Sequence, residues 1–386
     1  MLRRGPHRTV WSAAAWAMAA VTAASALVAC GSAASHRARP GQFGPDVLPP
    51  AAASASASTR QPLAPAPLDA LLTVLRRIRV PGRAWQVLAA NGTLFTSGGD
   101  PGTVITRVDP ATGHVGPSTH VTHVAGITFG AGLLWVVRGQ PAKGAPAPSL
   151  VALSPATLRV RHTVRLPERP GWGSEVTAYA GGLIWVAGRR SLIAIDPATA
   201  TLARRVPAVT GVGAGGFVSV AASAGGTSLW TAEGSPGGGP IAVQLRDPRT
   251  GGVLAASKDI APGVAGAQIA AARDHAWLAV PTGLEGGYVQ AVRRAGQLVK
   301  TPPAKPRRRE IFANGIQVYL ASRRLWIIDG MSGSIACANA STGRILAAVR
   351  NANIDVSDIA PAGAGRLALP VNGDLLIAAP KPPCTP

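Results

Sequence analysis

The stretch Ala180-Gly181-Gly182-Leu183-Ile184-Trp185-Val186, followed a few residues later by Asp196-Pro197-Ala198-Thr199, decides the fold. The glycine pair reads as a tight turn and the apolar, β-branched and aromatic run after it as a buried strand. The Asp-Pro-Ala-Thr segment reads as a second turn. Asp accepts backbone N–H bonds at the first position, Pro presets φ at the next, and a following Gly, where there is one, supplies the left-handed residue before the chain returns.

The unit recurs. Strand anchors equivalent to Trp185 stand at Leu94-Phe95, Leu134-Trp135-Val136, Leu229-Trp230, Ala276-Trp277-Leu278, Leu325-Trp326-Ile327 and Leu367-Ala368-Leu369, 40 to 50 residues apart. Matching turns stand at Asp109-Pro110-Ala111-Thr112-Gly113, Ser154-Pro155-Ala156-Thr157, Asp247-Pro248-Arg249-Thr250-Gly251 and Asn339-Ala340-Ser341-Thr342-Gly343. Four short strands per unit cannot bury their own faces, whereas repetition about an axis buries them and leaves only short edges. Seven anchors predict an all-β propeller of seven four-stranded blades. Six or eight blades stay open, because the fifth unit is irregular between Trp277 and Arg324. The last unit shows strands near 359 to 363, 366 to 371 and 374 to 379 and lacks a fourth, which Arg77-Ile78-Arg79-Val80 can supply to close the ring. The repeated Trp residues are expected to pack between blades, and the turn Asp residues to be structural.

Composition agrees. The chain has 386 residues, 47% hydrophobic and 14% charged, with Gly and Pro together numbering 80, which suits a turn-rich all-β protein. The N-terminus reads as an export signal over residues 1–29: Arg3, Arg4 and Arg8, then 21 uncharged residues from Thr9 through Ala29. It ends Leu27-Val28-Ala29-Cys30-Gly31, which resembles the lipobox of bacterial lipoproteins and implies a lipid on Cys30 and a position on the outer face of the cell membrane. An uncleaved membrane span or plain cleavage are the alternatives. Residues 30–67 are Ala, Ser and Pro with few large apolar side chains, the composition of a disordered tether. Residues 68–386 then form the propeller domain. Leu68, Leu71, Leu72 and Leu75 fall at helical spacing and predict a short amphipathic lead-in helix. Export favours a disulfide between Cys337 and Cys384 near the C-terminus.

The net charge of +21 falls to +18 once a signal with three Arg is removed, and draws anionic polymers or lipid head groups. Nucleic acid is excluded as a partner by the expected location. Part of the bias, 33 Arg against 5 Lys, reflects base composition. On the face that collects the loops after each Trp strand, Arg138, Lys143, Arg189 and Arg190 form a basic arc, and Glu233, Glu285, Asp329 and Asp374 an acidic one. Trp172, in Pro170-Gly171-Trp172-Gly173, lies outside the repeat and reads as an exposed binding aromatic. The expected ligand carries both charges, as a peptide or wall fragment does. Lys305-Pro306-Arg307-Arg308-Arg309 is the densest basic run. No metal site is expected, since His120 and His123 point to opposite faces of a strand. Zinc-ligand cysteine spacings, phosphate loops and nucleophile elbows do not occur.

The succession of Trp strand, apolar strand and Asp-Pro-Ala-Thr-Gly turn resembles the YVTN and streptogramin-lyase-like seven-bladed propellers common in exported actinobacterial proteins, over roughly residues 78 to 380. The streptogramin lyases in that group imply a His and Glu cluster holding a metal on the loop face. His275 and Glu285 stand in one unit here, but Gly286-Gly287-Tyr288 occupies the place of the second His. Quinone-cofactor propellers carry a Trp after the Thr-Gly turn, which Gly113 and Gly251 lack, so no cofactor is expected. The expected function is therefore a lipid-anchored extracytoplasmic module that binds or scaffolds a polymer or protein in the cell envelope without catalysis. The alternative is a metal-assisted lyase or hydrolase.

Overall fold

The computed structural model describes residues 66–98, 104–139, 147–171, 175–207, 216–234, 239–257, 262–263, 267–281, 287–295, 297–300, 316–330, 333–349 and 354–385. They belong to one compact unit, Arg60–Pro386. The sites expected at Cys30, Trp172 and Glu285, the tether up to residue 65 and the basic run 305–309 lie outside the described residues.

Seven four-stranded antiparallel sheets stand side by side. Blade one comprises Gln86–Ala90, Thr93–Gly98, Val104–Val108 and Val115–His120, and blade two Val124–Gly130, Leu133–Arg138, Ser149–Leu153 and Val160–Arg165. Blade three comprises Thr177–Ala180, Leu183–Ala187, Ser191–Asp196 and Thr201–Pro207, and blade four Gly216–Ala222, Leu229–Gly234, Ala242–Arg246 and Val253–Ser257. Blade five comprises Gln268–Ala271, His275–Pro281, Gly287–Ala295 and Gln297–Lys300, and blade six Ile316–Ala321, Arg324–Asp329, Ser334–Asn339 and Ile345–Val349. Blade seven takes Ala360–Pro361, Leu367–Val371 and Asp374–Pro380 from one end of the chain and Leu72–Ile78 from the other. The first strand of each blade neighbours the first strands of the next, so these strands ring the axis.

The middle strands of each blade are buried on both faces, as in Ser149–Leu153 and Ser191–Asp196, and therefore read as unbroken apolar runs. The outer strands Val160–Arg165 and Thr201–Pro207 are largely exposed and carry the arginines. Trp135, Trp185, Trp230 and Trp326 are fully buried between blades.

The Trp anchor and the Asp-Pro turn are one device seen from adjacent blades. Trp185 of blade three donates its indole N–H to Pro248 O of blade four at 3.0 Å, and Trp277 of blade five to Ala340 O of blade six at 2.8 Å. A Cβ on Gly251 would meet Trp185 Cη2 at 2.8 Å, and one on Gly343 would meet Trp277 Cη2 at 2.4 Å. That fifth turn position is left-handed throughout, with φ of 78° at Gly113, 54° at Leu158, 52° at Ala200, 73° at Gly251 and 69° at Gly343. Where the facing anchor is the smaller Phe95, the position is filled by Leu158, and both lie in one apolar cluster. Asp109, Asp247 and Asn339 each accept two backbone N–H bonds within their turns. Among the described residues, Trp230 and Trp326 leave their buried indole N–H unbonded. Neither meets an Asp-Pro turn in the next blade: blade five pairs Ala295 with Gln297 there, and blade seven is assembled from two distant parts of the chain.

Two expectations need correction. The closing strand is Leu72–Ile78, paired with Asp374–Pro380 from Leu72↔Pro380 to Ile78↔Leu375, earlier in the chain than Arg77–Val80. The lead-in helix shrinks to one 3-10 turn, Ala66–Ala70. An open sheet edge beside Asp374–Pro380 outcompetes the helical spacing of the leucines: Leu72 and Val74 turn inward with period two, while Leu75 is exposed next to a register shift.

Cys337, in the third strand of blade six, is bonded to Cys384, with Cα atoms 5.9 Å apart. Lys381 N–H bonds to Leu71 O, so the C-terminal tail lies across the closing strand and the 3-10 turn.

Candidate functional site

The seven first strands enclose an axial cavity of about 570 Å³. Its wall is mostly aliphatic, from Val87, Ile127, Val220, Ile269, Val318 and Ile359, one from each of six blades, with Thr177 and Tyr179 from blade three. The ionisable residues in the described lining are Glu175 and Asp358 with the phenols Tyr179 and Tyr319, and no Lys, Arg or His is among them.

Polar groups gather where the first strands begin. Pairing register puts Gln86, Gln268 and Gln317 at one level, opposite Ser97, Ala279 and Ile328. Asp358 stands two residues before Ala360, which pairs with Ala368, and so joins the same level. These side chains also latch neighbouring blades. Asp358 Oδ2 accepts Val87 N–H of blade one at 2.7 Å, and Oδ1 accepts Ile359 N–H at 2.7 Å. Gln268 Oε1 accepts Val318 N–H of blade six at 2.8 Å, while its Nε2 donates to Glu175 Oε1 of blade three at 3.1 Å. The Tyr319 hydroxyl donates to Gln317 Oε1 at 2.7 Å and lies beside the Asp358 carboxyl.

Enclosure changes the acidity of this cluster. Burial, then the neighbouring Glu175 charge, push the Asp358 carboxyl up to about 7, against the pull of the Val87 and Ile359 N–H groups. Burial likewise raises Glu175, opposed by its bond from Gln268. Burial and the two carboxylates raise Tyr319 well above the ordinary phenol value. Both carboxyls are partly open to the cavity by surface area, yet sit deep in the body, and their desolvation comes from the protein around the cavity.

The predicted arcs of rim charge do not assemble as expected. Arg138 is partly exposed and holds Thr122 through its O and Oγ1 at 3.3 and 3.2 Å. Arg189 and Arg190 are exposed in the turn before Ser191–Asp196, and the Arg190 N–H donates to Glu168 Oε2 at 3.0 Å. Glu233, in contrast, is buried and pairs with Arg246 Nη2 at 2.8 Å. Arg246, itself 1% exposed, also donates to Thr231 Oγ1 at 3.1 Å and Gly251 O at 2.7 Å. Asp329 is buried as well. The reason is length: the second strands run on to Gly234 and Asp329, so both acids are strand residues and not loop residues. Asp374 pairs with Arg77 Nε of the closing strand at 3.7 Å.

His275 begins its strand, with Nδ1 2.7 Å from Asp274 Oδ1 and Nε2 3.2 Å from Ala340 O. The strand that His275 opens runs to Pro281, and Glu285 lies beyond it, outside the described residues. Among the described residues, no group of three or more His, Cys, Asp and Glu side chains converges to hold a metal.

Asp358, Tyr319, Gln268 and Thr177 escaped sequence reasoning. The available signal was a polar residue directly before Val or Ile at the head of the first strand, as in Gln86-Val87, Gln268-Ile269, Gln317-Val318 and Asp358-Ile359. Its repeat is visible once the blades are aligned on their anchors.

No protein-family model matches the chain, and no curated protein matches it. Solved structures match in fold. The hydrazine synthase of Kuenenia stuttgartiensis superposes with a TM-score of 0.57 at 13% identity, covering 76% of this chain and 94% of that one. The Pan2 WD40 domain of Neurospora crassa gives 0.55 at 11% identity, covering 82% and 98%. A chain of the mitotic checkpoint complex gives 0.58 at 13%, covering 89% and 98%. At such identities the likeness is one of architecture, a seven-bladed propeller, which hosts binding modules, scaffolds and enzymes alike.

Proposed function

We propose that this chain is an extracytoplasmic binding module, held at a bacterial membrane by a lipid on Cys30, that takes its ligand at the end of the axial cavity where the first strands begin. The observation that carries this reading is the cavity itself: about 570 Å³, with aliphatic walls and a few converging polar groups at one level. Ligand sites have that size and make-up. The Cys337–Cys384 bond suits an oxidising compartment. Exposed Arg161, Arg165, Arg204 and Arg205 on the outer strands of blades two and three suit attraction to an anionic envelope. Catalysis by a metal-assisted lyase or hydrolase is the second reading, and Gly286-Gly287-Tyr288 stands where a streptogramin-lyase-like site calls for a second His.

The test has two arms. Cys30→Ala should move the protein from the membrane fraction to the soluble envelope fraction. Thermal denaturation of the full chain against divalent metals, wall-derived polymers, lipid head groups, small amines and macrocyclic antibiotics should find a ligand. At one hundred times its dissociation constant a ligand adds roughly 2.7 kcal/mol, a shift of a few degrees in a domain of this size. Retention of Cys30→Ala in the membrane would remove the anchor from the proposal. A shift with a divalent metal alone would favour the enzyme reading.

A further inference from the structure

We infer that the head of the axial cavity is a binding site for a primary ammonium group, held between Glu175 of blade three and Asp358 of blade seven with Thr177 as a third acceptor. The inference deepens the binding-module reading and rests on it.

Charge segregation is the first observation. In a chain of net charge +21, the described lining of this cavity carries two carboxyls and no basic side chain. Among the described residues neither carboxyl has a cationic partner: Glu175 receives one bond from Gln268, and Asp358 two from backbone N–H groups and one contact from Tyr319. Another buried acid, Glu233, is paired with Arg246. Desolvating a carboxylate without a counter-ion is costly, and a ligand cation would offset that cost.

The second observation is independent. Thr177 is 7% exposed and lines the same cavity, while its Oγ1 is itself fully buried and has no hydrogen-bond partner, so that a turn about χ1 would bring it to a ligand. It follows Glu175 by two residues in extended chain, which puts the two side chains on one side. A buried hydroxyl left unbonded is rare enough to require a reason, and a ligand donor supplies one.

The ligand is an ammonium and not a guanidinium because of how the acceptors are used. A guanidinium seeks both oxygens of one carboxylate, and both Asp358 oxygens already accept backbone N–H bonds. An ammonium has three divergent donors on one atom, and the acceptors here come separately from blades three and seven. The aliphatic wall beyond would hold the carbon chain of an alkylamine or a lysine side chain. Glu175, Asp358 and Tyr319 are the groups whose titration bears on one another here, Tyr179 being the other phenol in the lining. A cation draws the proton from the raised acid pair, so binding tightens as pH rises through about 7.

Calorimetric titration of the full-length protein in detergent, in 0.15 M salt, tests this with cadaverine and its uncharged analogue 1,5-pentanediol. We expect cadaverine to bind roughly tenfold or more tightly than the diol at pH 8, and to weaken roughly tenfold at pH 6. Glu175→Gln and Asp358→Asn should each cost tenfold or more, Thr177→Val a few-fold, and Arg161→Ala on the outer strand nothing. Thr177→Val keeps the shape and tests the site should either acid variant misfold. Equal binding of the diol, or cadaverine binding unchanged in Glu175→Gln and Thr177→Val, overturns the assignment. Failure of cadaverine while another compound of the thermal panel shifts the melting point overturns the ligand class and leaves the binding module standing. Failure of every compound overturns both.

Discussion

At the residue scale, Asp358 makes the sharpest claim about solution behaviour. Its carboxyl titrates near 7 in the folded chain against an ordinary value of 3.8. The folded state therefore holds a proton that the unfolded state has released between those values. The stability this gives is full below about pH 4 and is lost as pH rises toward 7. Glu175 acts in the same direction. The turn residues Asp109 and Asp247 are lowered, chiefly by the Thr112 side chain and by backbone N–H of Thr250, and act oppositely in a more acid window. Asp358→Asn cannot ionise and keeps one acceptor for Val87 or Ile359. Its melting temperature relative to wild type should thus rise by a few degrees between pH 5 and pH 8, as read by calorimetry. The turn acids and Trp anchors were legible in the sequence because local bonds and repetition dictate them. Asp358 was not, because its role depends on Val87, 271 positions away along the chain.

Elements show where local signals lose to their neighbours. The Trp strand and the Asp-Pro turn were both legible, but their mutual fit across blades needed the structure. Gly343→Ala tests that fit against Gly92→Ala. Both are left-handed, at φ 69° and 71°, but a Cβ on Gly92 meets nothing within 4 Å. Gly92→Ala should cost about 1 kcal/mol for the backbone alone. Gly343→Ala should cost about 2 kcal/mol or more, because Trp277 must give way. Ala200 shows the escape available: the anchor clustered with it, Trp135, donates to Gly130 O of its own blade at 3.1 Å instead of to the turn. Urea denaturation of the two variants measures the difference. Leu72 and Leu75 were misread as helical because the four leucines at 68, 71, 72 and 75 fit the helical spacing, and the open edge of blade seven overrides it. Next to that edge, Cys384→Ala opens a 47-residue loop and should cost about 4 kcal/mol, seen as a lowered urea midpoint that reductant reproduces in the wild type.

For the whole molecule, the axis and the outer strands of blades two and three differ in charge. Four arginines are exposed on those strands, and the two carboxyls of the cavity lining, Glu175 and Asp358, face the axis. The net charge was legible from composition, whereas its sorting was not, since Glu233 and Asp329 read as surface acids until the strand lengths were known. Replacing Arg161 and Arg204 by Ala should weaken adsorption to phosphatidylglycerol vesicles roughly thirtyfold at low salt, at about 1 kcal/mol per Arg. Flotation across a salt series measures this, and the two proteins should converge as salt rises.

The ring closes by pairing Leu72–Ile78 with Asp374–Pro380. Among the described strands, the first to be synthesised therefore waits for the last before it has a neighbour. Blades one to six can assemble in order of synthesis, but the seventh is a matter of timing: until the final strand arrives, one edge of blade one's neighbour stays open and can recruit another chain. Such a polypeptide completes its ring only after both of these strands have been made. Slowing its elongation should lengthen the exposed interval without changing the product.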